Sequence, residues 1–414
     1  MSVRVRMAPS PTGFLHIGLG RTFLFNWLFA RQQGGECWLR IENTATNREV
    51  AEATEQIQRS LRWLGIEWDG DVTFQLDRLE RCQTEARRLV AEGKAYEDEG
   101  AIRFRMPDEG VTTWDDLVLG PIEFRNEELS DLVILRSDGR PLYNFASPIE
   151  DWLDGITHVV RGTDHISNTP SQINLLRALG SEIPRYAHVP MINGADGKKL
   201  SKRHGALSVE EFKRAGYLRE ALMNFLALLG WSYDDKTTIM SEEALIERFS
   251  FDRVQASPAV FDYQKLDWMN GVYIRELPEG EFAERLLAYL REYGYDWDEE
   301  LVRRSAPLVQ EKLSTLGAYP EFAGFFFHDV EPDPALLDGD VLGRAAAALE
   351  GVEPFTADRI EATLRSLADE LELSPRKAFQ PIRVAVTGSK VSPGLFESLE
   401  LLGKEQSVAR IRSR

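Results

Sequence analysis

The chain has 414 residues, too many for one ordinary hydrophobic core, so two to four domains of roughly 100 to 200 residues each are expected. Its apolar and charged fractions are those of an average globular protein, and no apolar run is long enough to span a bilayer, which argues against a membrane protein. A formal net charge of −18 argues against broad non-specific nucleic-acid binding, because a basic footprint supplies most of that affinity, but leaves room for a specific RNA partner.

Val3, Val5 and Met7 alternate with polar residues as in a strand, and no secretion-signal apolar stretch accompanies them, so a cytoplasmic location is expected. Pro9 and Pro11 break the strand, and a helical pattern follows with Phe23, Leu24, Trp27 and Leu28 on one side. Gly34-Gly35 stops that helix and Cys37 to Ile41 resumes as a strand. This β-loop-α-β unit is the opening of a nucleotide-binding parallel sheet. About Ala51 to Gly93 reads as charged helix. From Ala101 to Phe145 the pattern turns to β, with Ile102/Phe104/Met106, Ile122/Phe124 and a hairpin at Ser137-Asp138-Gly139, as in a β-rich module inserted into an α/β domain. Helices and short strands alternate from Asp164 to Lys202. Beyond Gly205 the chain is mainly helical, and Ile360, Leu364, Leu367 and Leu371 form one apolar stripe, so a helical bundle is expected in the last third. Between Leu371 and Arg414 the basic residues outnumber the acids, which marks either a local RNA-facing patch or a solvated tail. Cys37 and Cys82 are the only cysteines, too few and too far apart for a zinc knuckle; neither disulfide nor structural zinc is expected.

Two stretches carry chemistry. After the first strand stands Ala8-Pro9-Ser10-Pro11-Thr12-Gly13-Phe14-Leu15-His16-Ile17-Gly18. A histidine and a glycine at a helix start can meet a triphosphate, through free backbone N–H groups, close approach at glycine and a hydrogen bond from the imidazole. Alone, such a pair is more often a capping arrangement. Near residue 200 lies Asp196-Gly197-Lys198-Lys199-Leu200-Ser201-Lys202-Arg203-His204-Gly205, a polar loop able to close over a phosphate chain where pyrophosphate leaves. Alone, it is more often a solvated charge run.

Together, in this order and with an insertion between them, the two stretches resemble the signature sequences of class I aminoacyl-tRNA synthetases. Arg6 with Ala8 to Gly13, Arg136 to Gly139, Tyr143-Asn144-Phe145, Arg161-Gly162-Thr163-Asp164-His165, Asn168-Thr169-Pro170, Leu228 to Trp231, Phe261 to Asn270 and Pro381 to Gly403 are similar to the bacterial glutamate–tRNA ligases. The resemblance covers nearly the whole chain. It implies an α/β Rossmann-like catalytic domain over 1–205 with a shortened α+β connective insertion at about 70–135. A helical stem-contact domain would follow over 206–300 and a helical anticodon-binding region over 301–414.

The resemblance also implies roles. Glutamate has two carboxylates and one ammonium, and Arg6 and Arg161 suit the acids, with Ala8, Ser10, Glu42 and Tyr143 completing the pocket. His16, Gly18, Asp164 and Lys202 are implied for ATP. His16, Lys199 and Lys202 are implied for catalysis, Mg²⁺ for bridging phosphate oxygens, and Arg376, Lys377 and Arg383 for tRNA-Glu. Taken alone, Arg6, Glu42 and Tyr143 are each more often structural. A monomer is expected, transferring L-glutamate to a terminal ribose, the 2′-OH by analogy within class I. The chain departs from the family where Ile-Glu-Asp-Thr-Asp is usual and Ile41-Glu42-Asn43-Thr44-Ala45 stands, and where Glu150-Asp151 replaces paired aspartates. The helical stripe speaks against a glutamine-specific relative with C-terminal β-barrels. The residues beyond about Leu308 speak against a truncated paralogue that modifies a tRNA base, and the retained His16, Lys202, Arg6 and Arg161 against a silent RNA-binding paralogue.

Overall fold

The computed structural model describes residues 2–11, 13–43, 48–205 and 207–414, and the side chains of residues 48–50 and 202 lie outside that description. Two compact units are formed, Met1–Lys213 with Arg219–Leu266, and Arg214–Leu218 with Asp267–Arg414.

The first unit opens with β1 (Arg4–Met7), α1 (Ile17–Gln32) and β2 (Glu36–Ile41), the β-loop-α-β unit read from the sequence. The segment expected as one helical stretch is divided into α2 (Arg48–Trp63), β3 (Thr73–Phe74) and α3 (Leu79–Ala91). Gly65, at φ 80°, takes the left-handed backbone that ends the first helix, and Phe74 then pairs with Ile41 to add a third parallel strand. The insertion follows as β4 (Ala95–Asp98), β5 (Ala101–Phe104), β6 (Val111–Asp116), β7 (Gly120–Arg125) and β8 (Leu132–Leu135), with antiparallel order β4-β5-β8 and a separate β6–β7 hairpin. Tyr143 to Phe145, expected at the end of the β pattern, instead begin α4 (Tyr143–Leu153). Phe145 and Ile149, one helical turn apart, are both fully buried, so period 3.6 wins over period 2 there. Then come β9 (His158–Gly162), α5 (Thr169–Leu179), β10 (Arg185–Val189), β11 (Ile192–Asn193), α6 (Val209–Arg214), α7 (Arg219–Leu228), α8 (Glu242–Arg248) and β12 (Ala259–Val260).

β1, β2 and β3 are parallel neighbours, and β9 pairs in parallel with β10. The Thr157 N–H donates to the Arg4 carbonyl at 2.9 Å, which joins the start of β9 to the start of β1. The spatial order is therefore β3-β2-β1-β9-β10, and the order reverses between β1 and β9. Residues of β1 and β9 are buried almost continuously, as expected of parallel strands covered on both faces. Cys37 within β2 and Cys82 on α3 are both buried and free, and Cys82 shares a core with Leu89, Phe104, Phe145 and Leu175. Each fully buried leucine or phenylalanine of that kind contributes roughly 1.5–3 kcal/mol.

α9 (Tyr263–Glu276) crosses the sequence boundary between the units, and the second unit continues with α10 (Glu279–Glu292), α11 (Glu299–Gln310), α12 (Tyr319–Ala323), α13 (Gly339–Glu350), α14 (Ala357–Glu370), α15 (Pro375–Thr387), α16 (Leu395–Leu402) and α17 (Lys404–Arg412). Asp298 and Asp338 cap α11 and α13, accepting from the N–H groups of Leu301 and Val341. Ile360, Leu364 and Leu367 of α14 are buried against Leu342, Ile382, Leu399 and Ile411, and Leu371 packs half-buried on the same core. Among the described residues no helix is long and apolar enough to cross a membrane.

Candidate active site

A cleft of about 590 Å³ opens at the carboxyl ends of β1 and β9, the point where strand order reverses and where open α/β sheets bind ligands. Arg6, Ala8 and Ser10 enter it from the end of β1, His16 and Gly18 from the start of α1, and Glu42 from the end of β2. Tyr143 at the start of α4, Arg161 and Asp164 at the end of β9, and Lys199 complete the set. Segments up to 193 residues apart thus converge. Of the site residues expected in this half of the chain, Lys202 alone is not placed, because its side chain lies outside the described residues.

Beneath the cleft is a buried charge cluster. Arg6 donates to Asp151 from Nε at 2.9 Å and from Nη2 at 3.3 Å. Arg40, almost wholly buried, lies within ion-pair distance of Asp151 (2.8 Å), Glu150 (3.0 Å), Asp154 (3.4 Å) and Glu42 (3.5 Å), and Arg78 pairs with Asp154 at 2.6 Å. Burial alone would raise the Asp151 carboxyl, but Arg6 and Arg40 bring it below its ordinary range. Burial raises Glu150 to about 7, with Arg40 offsetting only part of the effect and Glu42 and Asp151 adding to it. Glu42 is raised by burial against the pull of Arg40 and Arg6. Four carboxyls thus surround three guanidiniums, and burial disfavours the charged form of Glu150 and Glu42, the two it raises.

Arg161 is held differently. Its Nε donates to His188 Nε2 at 3.2 Å, Nη1 to Gln172 at 2.8 Å, and Nη2 to Thr169 Oγ1 at 2.7 Å and the His165 carbonyl at 3.4 Å. All are neutral acceptors. Among the described residues this buried guanidinium has no ion-pair partner, and it faces the cleft. A buried cation without a counter-charge is costly, which makes the cleft a place for an anion. Tyr143 Oη lies 3.2 Å from His165 Nδ1 across the same floor. Gly162 follows Arg161, and a Cβ there would overlap the Asp164 carboxylate.

His16 caps α1, its Nδ1 accepting the Gly18 N–H at 3.0 Å. That bond puts the ring proton on Nε2, which is left to donate, while partial desolvation and then Lys199 hold the imidazole below its ordinary value. It also engages the Gly18 N–H, and Ile17 N–H donates to the Leu207 carbonyl, so the helix start offers fewer open donors than the sequence suggests. The lysine loop is a tight hairpin. Gly194 N–H bonds Lys198 O, Asp196 pairs with Arg203 at 3.0 Å and His204 at 3.2 Å, and buried Leu200 anchors the segment while Lys199 stays exposed.

Arg21 was not singled out by sequence. It is buried, lines the cleft, and its guanidinium bonds the Pro190 and Leu229 carbonyls, with burial lowering it to about 10. The signal available was an arginine within an otherwise apolar helix face. In the second unit Arg376 and Lys377 are exposed at the start of α15, whereas Arg383 donates to Ser392 and the Pro393 carbonyl. Arg410 turns inward onto the Phe325 and Val386 carbonyls, and Lys404 and Arg412 pair with Glu353 and Glu350. Much of the basic excess near the C-terminus therefore holds the bundle together.

The family model for the catalytic domain of class I tRNA synthetases (E and Q) matches residues 2–101 and 97–268, and an anticodon binding domain model matches 281–414. A glutamate–tRNA ligase of Thermodesulfovibrio yellowstonii is 42% identical, over 99% of this chain and 98% of its own. One of Dehalococcoides mccartyi is also 42% identical, over 99% and 97%. The alignment with the first runs over 459 positions, so that relative carries segments this 414-residue chain lacks. A crystal structure of a glutamate tRNA ligase from Elizabethkingia meningosepticum, in complex with its amino acid, superposes with TM-score 0.86 at 27% identity, covering 100% of this chain and 99% of the other. With that likeness running from end to end and the cleft at the expected switch point, the chain belongs to the class I tRNA synthetases, in the glutamate–tRNA ligase family.

Proposed function

We propose that the cleft at the ends of β1 and β9 is where L-glutamate is activated with ATP before transfer to the terminal adenosine of tRNA-Glu. The observation that carries this reading is Arg161, a buried guanidinium facing the cleft with neutral partners only. Arg161 takes the substrate's side-chain carboxylate and Arg6, through the nitrogen Asp151 does not use, supports the acids. Ser10, Ala8 and Tyr143 shape the pocket, and Glu42 receives the ammonium. Glutamine would set an amide against Arg161 and leave a buried donor unpaired, which costs on the order of 1–3 kcal/mol.

The α-carboxylate oxygen of glutamate attacks the α-phosphorus of ATP and pyrophosphate leaves, so no enzyme nucleophile is needed and positioning with charge stabilisation carries the rate. His16 donates from Nε2 to the phosphates, Gly18 lets them approach, and Lys199 and Lys202 meet the charge moving to pyrophosphate. Asp164 reads the nucleoside side of the cleft. The glutamyl group then passes to a ribose hydroxyl. Mg²⁺ would be carried in on the ATP phosphates and would supply charge neutralisation there. Residues 206–300 are assigned to the acceptor stem and 301–414 to the anticodon, with Arg376, Lys377 and Arg383 on the RNA. The chain is read as a cytoplasmic monomer. Aminoacylation of tRNA-Glu and tRNA-Gln, each with glutamate and glutamine, tests the reading: glutamate joined to tRNA-Glu and no glutamine joined to either is expected. Glutamine transfer, or none at all, overturns it.

A further inference from the structure

Asp116 does not touch the cleft. It ends β6 in the inserted hairpin, its side chain is fully buried, and both oxygens are occupied. Oδ1 accepts from the backbone N–H groups of Val118, Leu119 and His188, each at 3.1 Å; Oδ2 accepts from Trp114 Nε1 at 3.3 Å and lies 2.5 Å from His188 Nδ1. The hairpin is further tied to the sheet by Leu117 N–H to Tyr186 O at 2.8 Å and by Asn174 of α5 to Thr112 Oγ1 at 2.8 Å.

The tautomer of His188 follows from Asp116 and Arg161, and the Thr169 hydroxyl lies 3.1 Å from the same Nε2. Arg161 Nε can only donate, so His188 Nε2 must accept, and the ring proton sits on Nδ1, pointing at Asp116. Burial and the adjoining Arg161 keep His188 below the ordinary imidazole value despite Asp116, so it stays neutral. Tyr186 stacks on the same ring with an interplanar angle of 7°, and the Arg161 guanidinium lies 5.4 Å over Tyr186. The rings leave the imidazole little freedom to turn.

We propose that Asp116, acting through His188, is a positioning residue that aims Arg161 at the substrate carboxylate; this rests on the reading of Arg161 given above. The physical reason is a conflict of demands. A guanidinium that must receive a carboxylate has to be held in one orientation, yet an aspartate placed directly on it would neutralise it and compete with the substrate. Arg40, with Asp151, Glu150 and Asp154 on it, shows that direct arrangement. Setting the carboxylate one imidazole away supplies direction without neutralisation. It also makes the insertion part of the amino-acid site.

Asp116→Asn keeps the shape but puts an NH₂ group against N–H donors whichever way the amide lies: against three backbone N–H groups, or against the imidazole, whose proton must then move to Nε2 and face Arg161. The KM for glutamate in aminoacylation should rise about tenfold, the scale of one misdirected charge-assisted hydrogen bond, while the KM values for ATP and tRNA stay within about twofold. His188→Phe, which keeps the stacking and removes both nitrogens, should do the same. In an Arg161→Gln background Asp116→Asn should add nothing. An unchanged glutamate KM in the Asp116 and His188 variants, an equal rise for all three substrates, or an additive rise in the double variant overturns the relay while leaving the role of Arg161 standing. An unchanged glutamate KM in Arg161→Gln alone overturns the reading of Arg161 and the relay with it. Should the variants fold poorly, ¹⁵N-histidine NMR of the unaltered protein decides: a neutral His188 protonated on Nδ1 is expected, and an Nε2-protonated or doubly protonated ring refutes the proposal.

Discussion

Arg6 and Asp151 lie side by side, Nε on Oδ1 and Nη2 on Oδ2, both almost wholly buried, and the same aspartate also neutralises Arg40 at 2.8 Å. One carboxylate thus serves two guanidiniums. Asp151→Asn removes the shared anion and leaves two buried cations short of charge, so stability should fall by about 3–5 kcal/mol. Urea unfolding checks this, and a loss under about 1 kcal/mol would show that water or a rearranged Glu150 replaces the anion.

His16 combines a structural bond with a proposed chemical one, and two substitutions separate them. His16→Ala should cost about 1 kcal/mol of cap energy and slow adenylate formation roughly a hundredfold. His16→Asn retains an acceptor for the Gly18 N–H, so the melting temperature should recover while the rate stays intermediate. Lys202→Ala should slow adenylate formation by a similar roughly hundredfold factor with little change in ATP binding, since its charge is needed as negative charge moves to pyrophosphate. Stopped-flow activation near the unaltered rate would remove Lys202 from the mechanism.

tRNA affinity should depend on salt through few phosphate contacts. Replacing Arg376 and Lys377 together by alanine should flatten the slope of log affinity against log salt by about 1–2, at roughly 0.9 per phosphate lost. Arg383→Ala should in addition lower the melting temperature, because its guanidinium ties α15 to Ser392 and Pro393. Filter binding across a salt series distinguishes the two.

His158 should make the first unit acid-sensitive. Burial, with Arg185 nearby, lowers it from 6.5 to about 4, so between those values the unfolded chain binds a proton that the folded one does not. Stability is therefore full above about pH 6.5 and falls as pH drops towards 4, by up to the order of 3 kcal/mol. His158→Asn should narrow the stability difference between pH 7 and pH 5; an unchanged difference would assign the acid sensitivity to other groups.

The opening β-loop-α-β unit and the stripe on α14 were legible because each follows from local periodicity, and the convergence of Arg6, His16 and Arg161 was legible through the family resemblance alone. What escaped depended on partners far along the chain. Arg40 sits mid-strand between Leu39 and Ile41, and nothing nearby reveals that Glu150, Asp151 and Asp154 surround it. Asp116 meets His188 across 72 residues. The basic count near the C-terminus misled in the opposite sense, since composition cannot tell a guanidinium that faces solvent from one that, like Arg410, binds carbonyls inside the bundle. Asn43 is buried and accepts from the Leu76 N–H at 3.3 Å, so one replaced acidic position serves the loop beside β3; Ala45, the other, lies outside the described residues.

Both cysteines belong to the first unit, Cys37 in the middle of its sheet and Cys82 beneath its insertion, and burial pushes both thiols up, that of Cys82 to about 12. At neutral pH neither is a thiolate within reach of an alkylating reagent, so modification waits on the opening of that unit. The second unit holds no thiol at all. The native chain thus carries its own reporter: the rate of thiol capture follows the breathing of the catalytic half and is blind to that of the helical half.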